Sequence, residues 1–293
     1  MAVLSNKIDF VALVSVQNAN PNGDPLTGNR PRTNYNDMGE ISDVCIKRKL
    51  RNRMQDKGFY IFVQSEDRAN DGYTSLKERA ENEIGKSKKK SKDAGLSREE
   101  YSRKACEKFL DVRSFGQVFA FGNDDESEKG GGTSVPVRGP VSIHQAVSVS
   151  PIEVESLQIT KSVNGKPEEK KGRDTMGMKH FVRFGLYMLK GSVNVQLAEK
   201  TGFSQEDAEV LKECLRTLFV NDASSARPEG SMEVVKLFWW QHNCKDGQYS
   251  SAKVHRSIHV TPRVLDRLPA SVEDYEITVD ELPGLTPEII DGV

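Results

Sequence analysis

Few residues of this chain are of a type and spacing to make or break bonds, whereas many are suited to holding an anion. Cys45, Cys106, Cys214 and Cys244 are scattered without a CxxC pair. Neither a zinc ribbon nor a disulfide framework is indicated, and the thiols read as reduced in a cytoplasmic protein. His242, Cys244, His255 and His259 can be weighed as a metal set, but their spacing fits no standard zinc pattern. His144 falls on the polar face of an alternating strand, where a lone histidine is more often a hydrogen-bonding surface residue than a catalyst. The glycines at 130–132 lack the Gly-Lys-Ser/Thr ending of a phosphate-binding P-loop. The stretch Phe10–Asn34 (FVALVSVQNANPNGDPLTGNRPRTN) ends in a loop where an enzyme would carry a nucleophile or base. It offers Asn18, Asn20 and Asn22 instead, amides that both donate and accept, on a backbone kept irregular by Pro21, Gly23 and Pro25. Asp24, in Asn-Gly-Asp-Pro, reads as a turn residue. Downstream, Lys47, Arg48, Lys49, Arg51 and Arg53 place five cations in seven residues with no acid among them. A merely solvated helix face would carry i, i+4 partners of opposite sign, so phosphate contact is the expectation.

Hydrophobic periodicity supplies the elements that position these groups. Phe10, Ala12, Val14 and Val16 alternate with Val11, Leu13 and Ser15, which predicts a central strand apolar on both faces. The basic helix spans Ser42–Lys57, capped by Ser42 or Asp43 and ended by Gly58, with Ile46, Leu50 and Met54 toward the core. Phe59–Val63 reads as a strand. Residues 64–100, with KSKKKSK at 86–92, read as a flexible charged insertion rather than core. Ser97 and Glu100 form a capping box for a helix to about Val112. RSFGQVFAF at 113–121 fits the ribonucleoprotein octamer of RRM domains at Arg113, Phe115, Gly116 and Val118, four of seven specified positions. Val141, Ile143, Val147 and Val149 alternate with Ser142, His144, Ala146 and Ser148, a strand with one polar face and Arg138 at its entrance. Ile152–Val163, the Asn164-Gly165 turn and the strand Phe181–Leu189 make a protruding hairpin of about 25 residues, with Met176 and Met178 near its base. Val193, Val195 and Leu197 extend that strand. Ser204 caps a second helix, with Ala208, Leu211, Leu215 and Leu218 inward, before the strand Glu233–Gln241 and an extended stretch Val254–Val260.

At 293 residues, with 29% charged and 36% hydrophobic positions, the chain is long enough for one elaborated globular domain or two small ones. No apolar run approaches the roughly 18 residues a membrane helix needs, and MAVLSNKIDF lacks a signal-peptide layout, so no membrane partner is expected. The net charge of −1 conceals a segregation. Residues 270–293 carry seven acids and no Lys or Arg, and setting them aside leaves residues 1–269 at +6. This acidic tail has two uses open to it, docking on a neighbour's basic surface or hanging loose.

Without the insertions the order is strand, helix, strand, then strand, helix, strand. That is the split βαβ order of an α+β, ferredoxin-like or RRM-like fold, with helices on one sheet face and the other free for RNA. The set NANPNGDP, ISDVCIKRKLRNRM, RSFGQVFA, RGPVSIHQAVSVSPI, GMKHFVRFGLY and DASSARPEGSMEVVKLFWW, spanning about residues 10–241, resembles the type I-C CRISPR-associated backbone subunit. This is the Cas-seven family of Cascade, in the RAMP superfamily. The resemblance implies a hand-shaped unit: a palm over about 1–63, 113–154 and 179–262, fingers over about 64–112, and a thumb hairpin over about 155–178, followed here by the tail 263–293. It implies CRISPR RNA, other copies of the chain and other Cascade subunits as partners, with target DNA reached through the guide, and no cofactor or metal. Carried over by position, RNA contacts fall on Asn20, Asn22, Arg32, Thr33, Lys47, Lys49, Arg51, Ser114, Phe115 and Gly116, with Arg138, Ser148, Arg173, Met176 and Arg227 as further members. The competing class is a metal-dependent endoribonuclease, since type III relatives use an Asp in the loop after the first strand, where Asp24 and Asp37 stand. His144 and His180 are its other acid–base candidates. A third class is an assembly protein whose basic helix meets the acidic tail of the next copy.

Overall fold

The computed structural model describes residues 2–87, 95–121, 134–160 and 176–293. Its spine is β1 (Ile8–Ala19), buried on both faces from Ile8 to Val16, a stretch of seven apolar residues with Asp9 and Ser15 among them. The connection that follows folds on itself, pairing β2 (Gly23–Asp24) with β3 (Arg30–Pro31), and then forms β4 (Met38–Ile41). Helix α1 (Asp43–Asp56) starts where Ser42 Oγ accepts the Cys45 amide. Its buried stripe of Ile46, Leu50 and Met54 packs on the sheet.

The predicted strand at Phe59–Val63 does not form. The Phe62 and Val63 amides donate to the Asp111 carboxylate (2.7 and 3.1 Å), which takes the place of a strand partner. Nor is the insertion without a core. Helices α2 (Leu76–Glu83), α3 (Arg98–Lys108) and α4 (Leu110–Phe115) enclose Phe62, Ala80, Tyr101, Phe109 and Val112. Phe119 and Val135 complete this cluster from β5 (Gly116–Phe119) and β6 (Val135–Arg138), which pair. The single predicted helix to Val112 breaks at Phe109, whose backbone is extended (φ −108°, ψ 115°). The ribonucleoprotein-octamer reading is corrected as well: Arg113 lies on α4, not on a strand, and forks onto Asp207 with two 2.8 Å bonds.

Strands β7 (Val141–Ile143) and β8 (Ala146–Pro151) are separated at His144-Gln145. That break shifts the alternation by one residue, so Val141 and Ile143 are buried but so are Ala146, Ser148 and Ser150. The predicted polar face is therefore interrupted. Strand β9 (Val154–Thr160) pairs with the first part of β10 (Met176–Val193), an 18-residue strand. Asn164-Gly165 lies outside the described residues. Strand β10 ends at Val193 because Asn194 caps α5 (Val195–Thr201), so Val195 and Leu197 are helical rather than an extension of it. Helix α6 (Gln205–Arg216) follows with the predicted Ser204 cap, and β11 is Met232–Gln241.

The sheet runs β11-β1-β10-β8-β4, with neighbours antiparallel. Helices α1 and α6 share one apolar cluster on one face. The opposite face is not free, as it would be in the expected arrangement. Its Val11, Leu13, Leu186, Phe238 and Trp240 are covered by Val254 of α7 (Ser251–Arg256), Ile258 of β12 (Ile258–Pro262), Tyr275 of β13 (Tyr275–Val279) and Leu285. The tail was read by its charge alone, yet its apolar positions have their own place in the core. Strand β14 (Glu288–Asp291) closes the sheet beside β11, pairing Asp291 with Lys236 and Glu288 with Lys212. The tail neither hangs loose nor leaves these acids for a neighbour. The stretch read as extended at Val254–Val260 is helical up to Arg256. Among the described residues no helix is long and apolar enough to cross a membrane.

Candidate nucleic-acid interface

Three segments converge at the end of β1: the loop that follows it, the first turns of α1 and, far away in sequence, the loop after α6. Asn20 is buried, donating its side-chain amide to Asn29 O (2.6 Å) and its backbone N–H to Ala226 O (2.8 Å). Asn22 Oδ1 accepts the Ser42 amide (2.9 Å) and so fastens the loop to the head of α1. Asp24 caps the turn at Pro25–Thr27 by accepting the Leu26 amide, and it pairs with Arg32 at 3.3 Å. Thr33 is exposed. Lys49 is buried against Asp222, which also accepts from Arg227 Nε at 3.0 Å. Burial lowers the Lys49 pKa, opposed by the carboxylate it touches. Burial likewise raises the Cys45 thiol, which also feels Lys49, Arg227, Asp222 and Arg32. Five of the predicted residues (Asn20, Asn22, Arg32, Lys49 and Arg227) are thus brought to one place.

A second group lies along the other flank of α1. Lys47 pairs with Asp43 one turn back (3.1 Å). Arg48 donates to Val63 O (2.7 Å), and burial, then the nearby Arg51, lowers its pKa. Arg51 Nε donates to Asp111 (2.9 Å), with its guanidinium 5.2 Å from the centre of the Phe115 ring. Ser114 is fully buried. Gly116 has φ +78°, and a Cβ there would overlap the Val137 carbonyl and the Gly139 amide. This close crossing delivers Arg138, which is exposed and has no side-chain partner among the described residues. Only this cation of the group has its whole guanidinium at liberty.

Other predicted residues lie apart. Ser148 is buried and structural, accepting the Gly39 amide (2.8 Å) and donating to Ser150 O (2.6 Å). Met176 is exposed on the β9–β10 ribbon, with Leu157, Ile159 and Met178 also exposed there. Arg173 lies outside the described residues. His144 sits opposite Lys190 of β10, while His180 is ten residues back along that strand and hydrogen-bonded to Ser156. At about 3.3 Å per residue the two are about 33 Å apart, too far to act on one bond. Among the described residues no group of three His, Cys, Asp or Glu could hold a metal ion. The arrangement can hold a polyanion through guanidinium and amide donors.

Residues 6–280 match the family model described as CRISPR-associated protein Cas7. The chain belongs to this Cas7 family. A protein of Haloferax volcanii named CRISPR-associated protein Cas7 is 29% identical over 299 residues, covering 98% of this chain and 85% of the relative. Among solved structures, a chain of a CRISPR RNA-guided surveillance complex in a pre-nicking state has a TM-score of 0.50 at 16% identity, covering 85% of this chain and 81% of the other. A chain of another CRISPR RNA-guided surveillance complex gives 0.46 at 18% identity, over 86% and 74%. The large antiparallel sheet of this Cas7-family chain thus has a counterpart of the same fold.

Sequence reasoning missed Asp111 and Asp222, the acids that organise the two groups. Asp222 opens the DASSARPEG motif and was visible there, but an acid in a basic site attracts no attention when only cations are counted.

Proposed function

We propose that this chain binds CRISPR RNA as the repeated backbone subunit of a type I-C Cascade surveillance complex, stacking on copies of itself along the guide spacer. Membership of the Cas7 family over residues 6–280 carries this reading. The convergence of the β1–α1 loop, α1 and the loop after α6 supports it by gathering guanidinium and amide donors of the kind that hold phosphates. The guide then pairs with target DNA, and sequence choice belongs to the RNA. We read the strand order β11-β1-β10-β8, with α1 and α6 on one face, as an RRM-like palm. The fingers are about 64–112 and the thumb about 155–178. Asn22, Arg32, Thr33, Arg138 and Arg227 are the contacts we favour. Ser114 and Ser148, both buried, are not among them.

The test is expression with and without a CRISPR RNA, followed by sizing and nuclease footprinting. The expected result is an RNA-dependent assembly that protects the spacer whatever its sequence. A monomer that never protects RNA refutes the scaffold. Mg²⁺-dependent cuts in target RNA abolished by Asp24→Ala would favour the endoribonuclease instead.

A further inference from the structure

One carboxylate oxygen, Asp222 Oδ2, receives both the Lys49 ammonium and Arg227 Nε (3.0 Å). The two cations are not equivalent. The Lys49 side chain is 4% exposed and lies 5.4 Å from the centre of the Phe219 ring, so its charge is spent in the interior. The Arg227 side chain is 28% exposed, and its terminal nitrogens have no partner among the described residues. A guanidinium held through Nε keeps its outer Nη1/Nη2 edge for a second, bidentate partner, the geometry suited to a phosphate.

The surrounding backbone fixes that edge. Ser224 and Arg227 exchange backbone hydrogen bonds (2.8 and 3.0 Å), closing a tight turn. Ala226 O accepts the Asn20 amide and Ser231 O the Gln17 amide, both at 2.8 Å, so the turn is tied to β1 and its loop at two points. Asn221, in the left-handed region at φ +60°, turns the chain so that the Asp222 side chain faces α1.

Building on the RNA-binding reading, we propose that Asp222 is a positioning residue: it neutralises Lys49 inside the protein and aims the free edge of Arg227 at a backbone phosphate of the guide. Lys49 then makes no phosphate contact of its own. Simple charge counting gives the opposite expectation for Asp222, because removing an acid from an RNA-binding surface should tighten binding.

The experiment is fluorescence anisotropy of a labelled single-stranded RNA of mixed sequence, titrated with the full chain at several salt concentrations. Each phosphate contact on a single strand contributes about 0.7 to the slope of log K against log salt. Arg227→Ala should weaken binding about tenfold and lower the slope by about 0.7. Asp222→Asn should do the same despite its gain in net charge, and combining the two should cost no more than Arg227→Ala alone. Glu229→Gln, an exposed acid in the same loop, controls for charge and should leave the slope unchanged. Because Asp222→Asn orphans a buried lysine, the paired variant Lys49→Met/Asp222→Asn removes both interior charges and should lose the same 0.7, about one contact.

Tighter binding by Asp222→Asn overturns the proposal, as does weaker binding with an unchanged slope. So does a loss of about 1.4, two contacts, in the paired variant, which would return Lys49 to the RNA. A wild-type chain with no salt-dependent RNA binding would remove the functional reading itself. These failures are therefore distinguishable.

Discussion

Replacing Asp111 by alanine strips three donors of their acceptor at once. The carboxylate is fully buried and takes the Phe62 amide at 2.7 Å, the Val63 amide at 3.1 Å and Arg51 Nε at 2.9 Å. The Arg51 side chain is only 12% exposed, so its charge has little water to turn to. Breaking a buried ion pair from one side costs about 3–5 kcal/mol. The buried Phe62 amide left unpaired adds about 1–3 kcal/mol and the half-buried Val63 amide less, reduced by whatever local relaxation recovers. A loss of about 5 kcal/mol is the expectation, comparable with the whole stability of many domains. Urea unfolding followed by circular dichroism measures it as a lower midpoint with an unchanged dependence on denaturant. Asp111→Ala/Arg51→Met removes the orphaned cation but not the orphaned amides, and should recover about 2 kcal/mol of the loss. A cost below about 1 kcal/mol for Asp111→Ala, or a double variant no better than the single one, would refute the view that this carboxylate joins α1 to the insertion.

Three further outcomes follow from local geometry. Gly116→Ala forces a Cβ onto the Val137 carbonyl at φ +78° and should lower the melting temperature by several degrees, about 1–3 kcal/mol, as a thermal melt will show. Burial lowers the pKa of His255, whose ring faces His144, Asp9 and Lys190, so below about pH 6.5 the unfolded chain takes up a proton that the folded chain refuses. Stability is therefore untouched at pH 8 and falls as pH drops through 6, by at most about 1.4 kcal/mol per pH unit from this group, and His255→Gln should flatten the fall. Of the four thiols, Cys244 is exposed, whereas burial pushes Cys106 up to about 11 and Cys214 up to about 12. A native titration with an aromatic disulfide reagent should find one fast thiol, lost in Cys244→Ser.

The elements with strong periodicity were legible in the sequence: β1, α1 with its Ile46–Leu50–Met54 stripe, α6 with its Ser204 cap, and β11. Failures fell where a distant group overrides a local pattern. Phe59–Val63 has a strand's composition, but its amides are claimed by Asp111, 49 residues away from Phe62. The alternation through Val141–Val149 continues unbroken on paper, while the break between strands at His144-Gln145, where the His144 amide still donates to Lys190 O, exchanges its faces and buries Ser148. Charge hid the tail's role, because Tyr275, Ile277 and Val279 alternate with Glu276, Thr278 and Asp280 as a half-buried strand should.

The basic helix shows why a run of cations is an incomplete argument for a polyanion surface. The i, i+4 test examines partners within one turn, and it finds Asp43 for Lys47 and Asp56 for Arg53 but no acid for Lys49 or Arg51. The acids come from elsewhere: Asp222, 173 residues from Lys49, and Asp111, 60 residues from Arg51. Long side chains on a helix that packs on two sides are drawn inward to such partners, and their charge then serves the fold. What remains for an external phosphate is the set of donors left over after internal pairing. Around α1, among the described residues, those include the whole of Arg138, at the end of β6 where it crosses Gly116, and the outer edge of Arg227, on a tight turn tied to β1. Donors fixed in this way lose little freedom on binding, so two of them can contribute more than a longer row of mobile lysines. Exchanging each arginine for lysine tests this directly. The charge is retained and the fork is lost, so affinity should fall for Arg138→Lys and Arg227→Lys. An unchanged affinity in both would mean that charge alone, wherever it sits, accounts for binding.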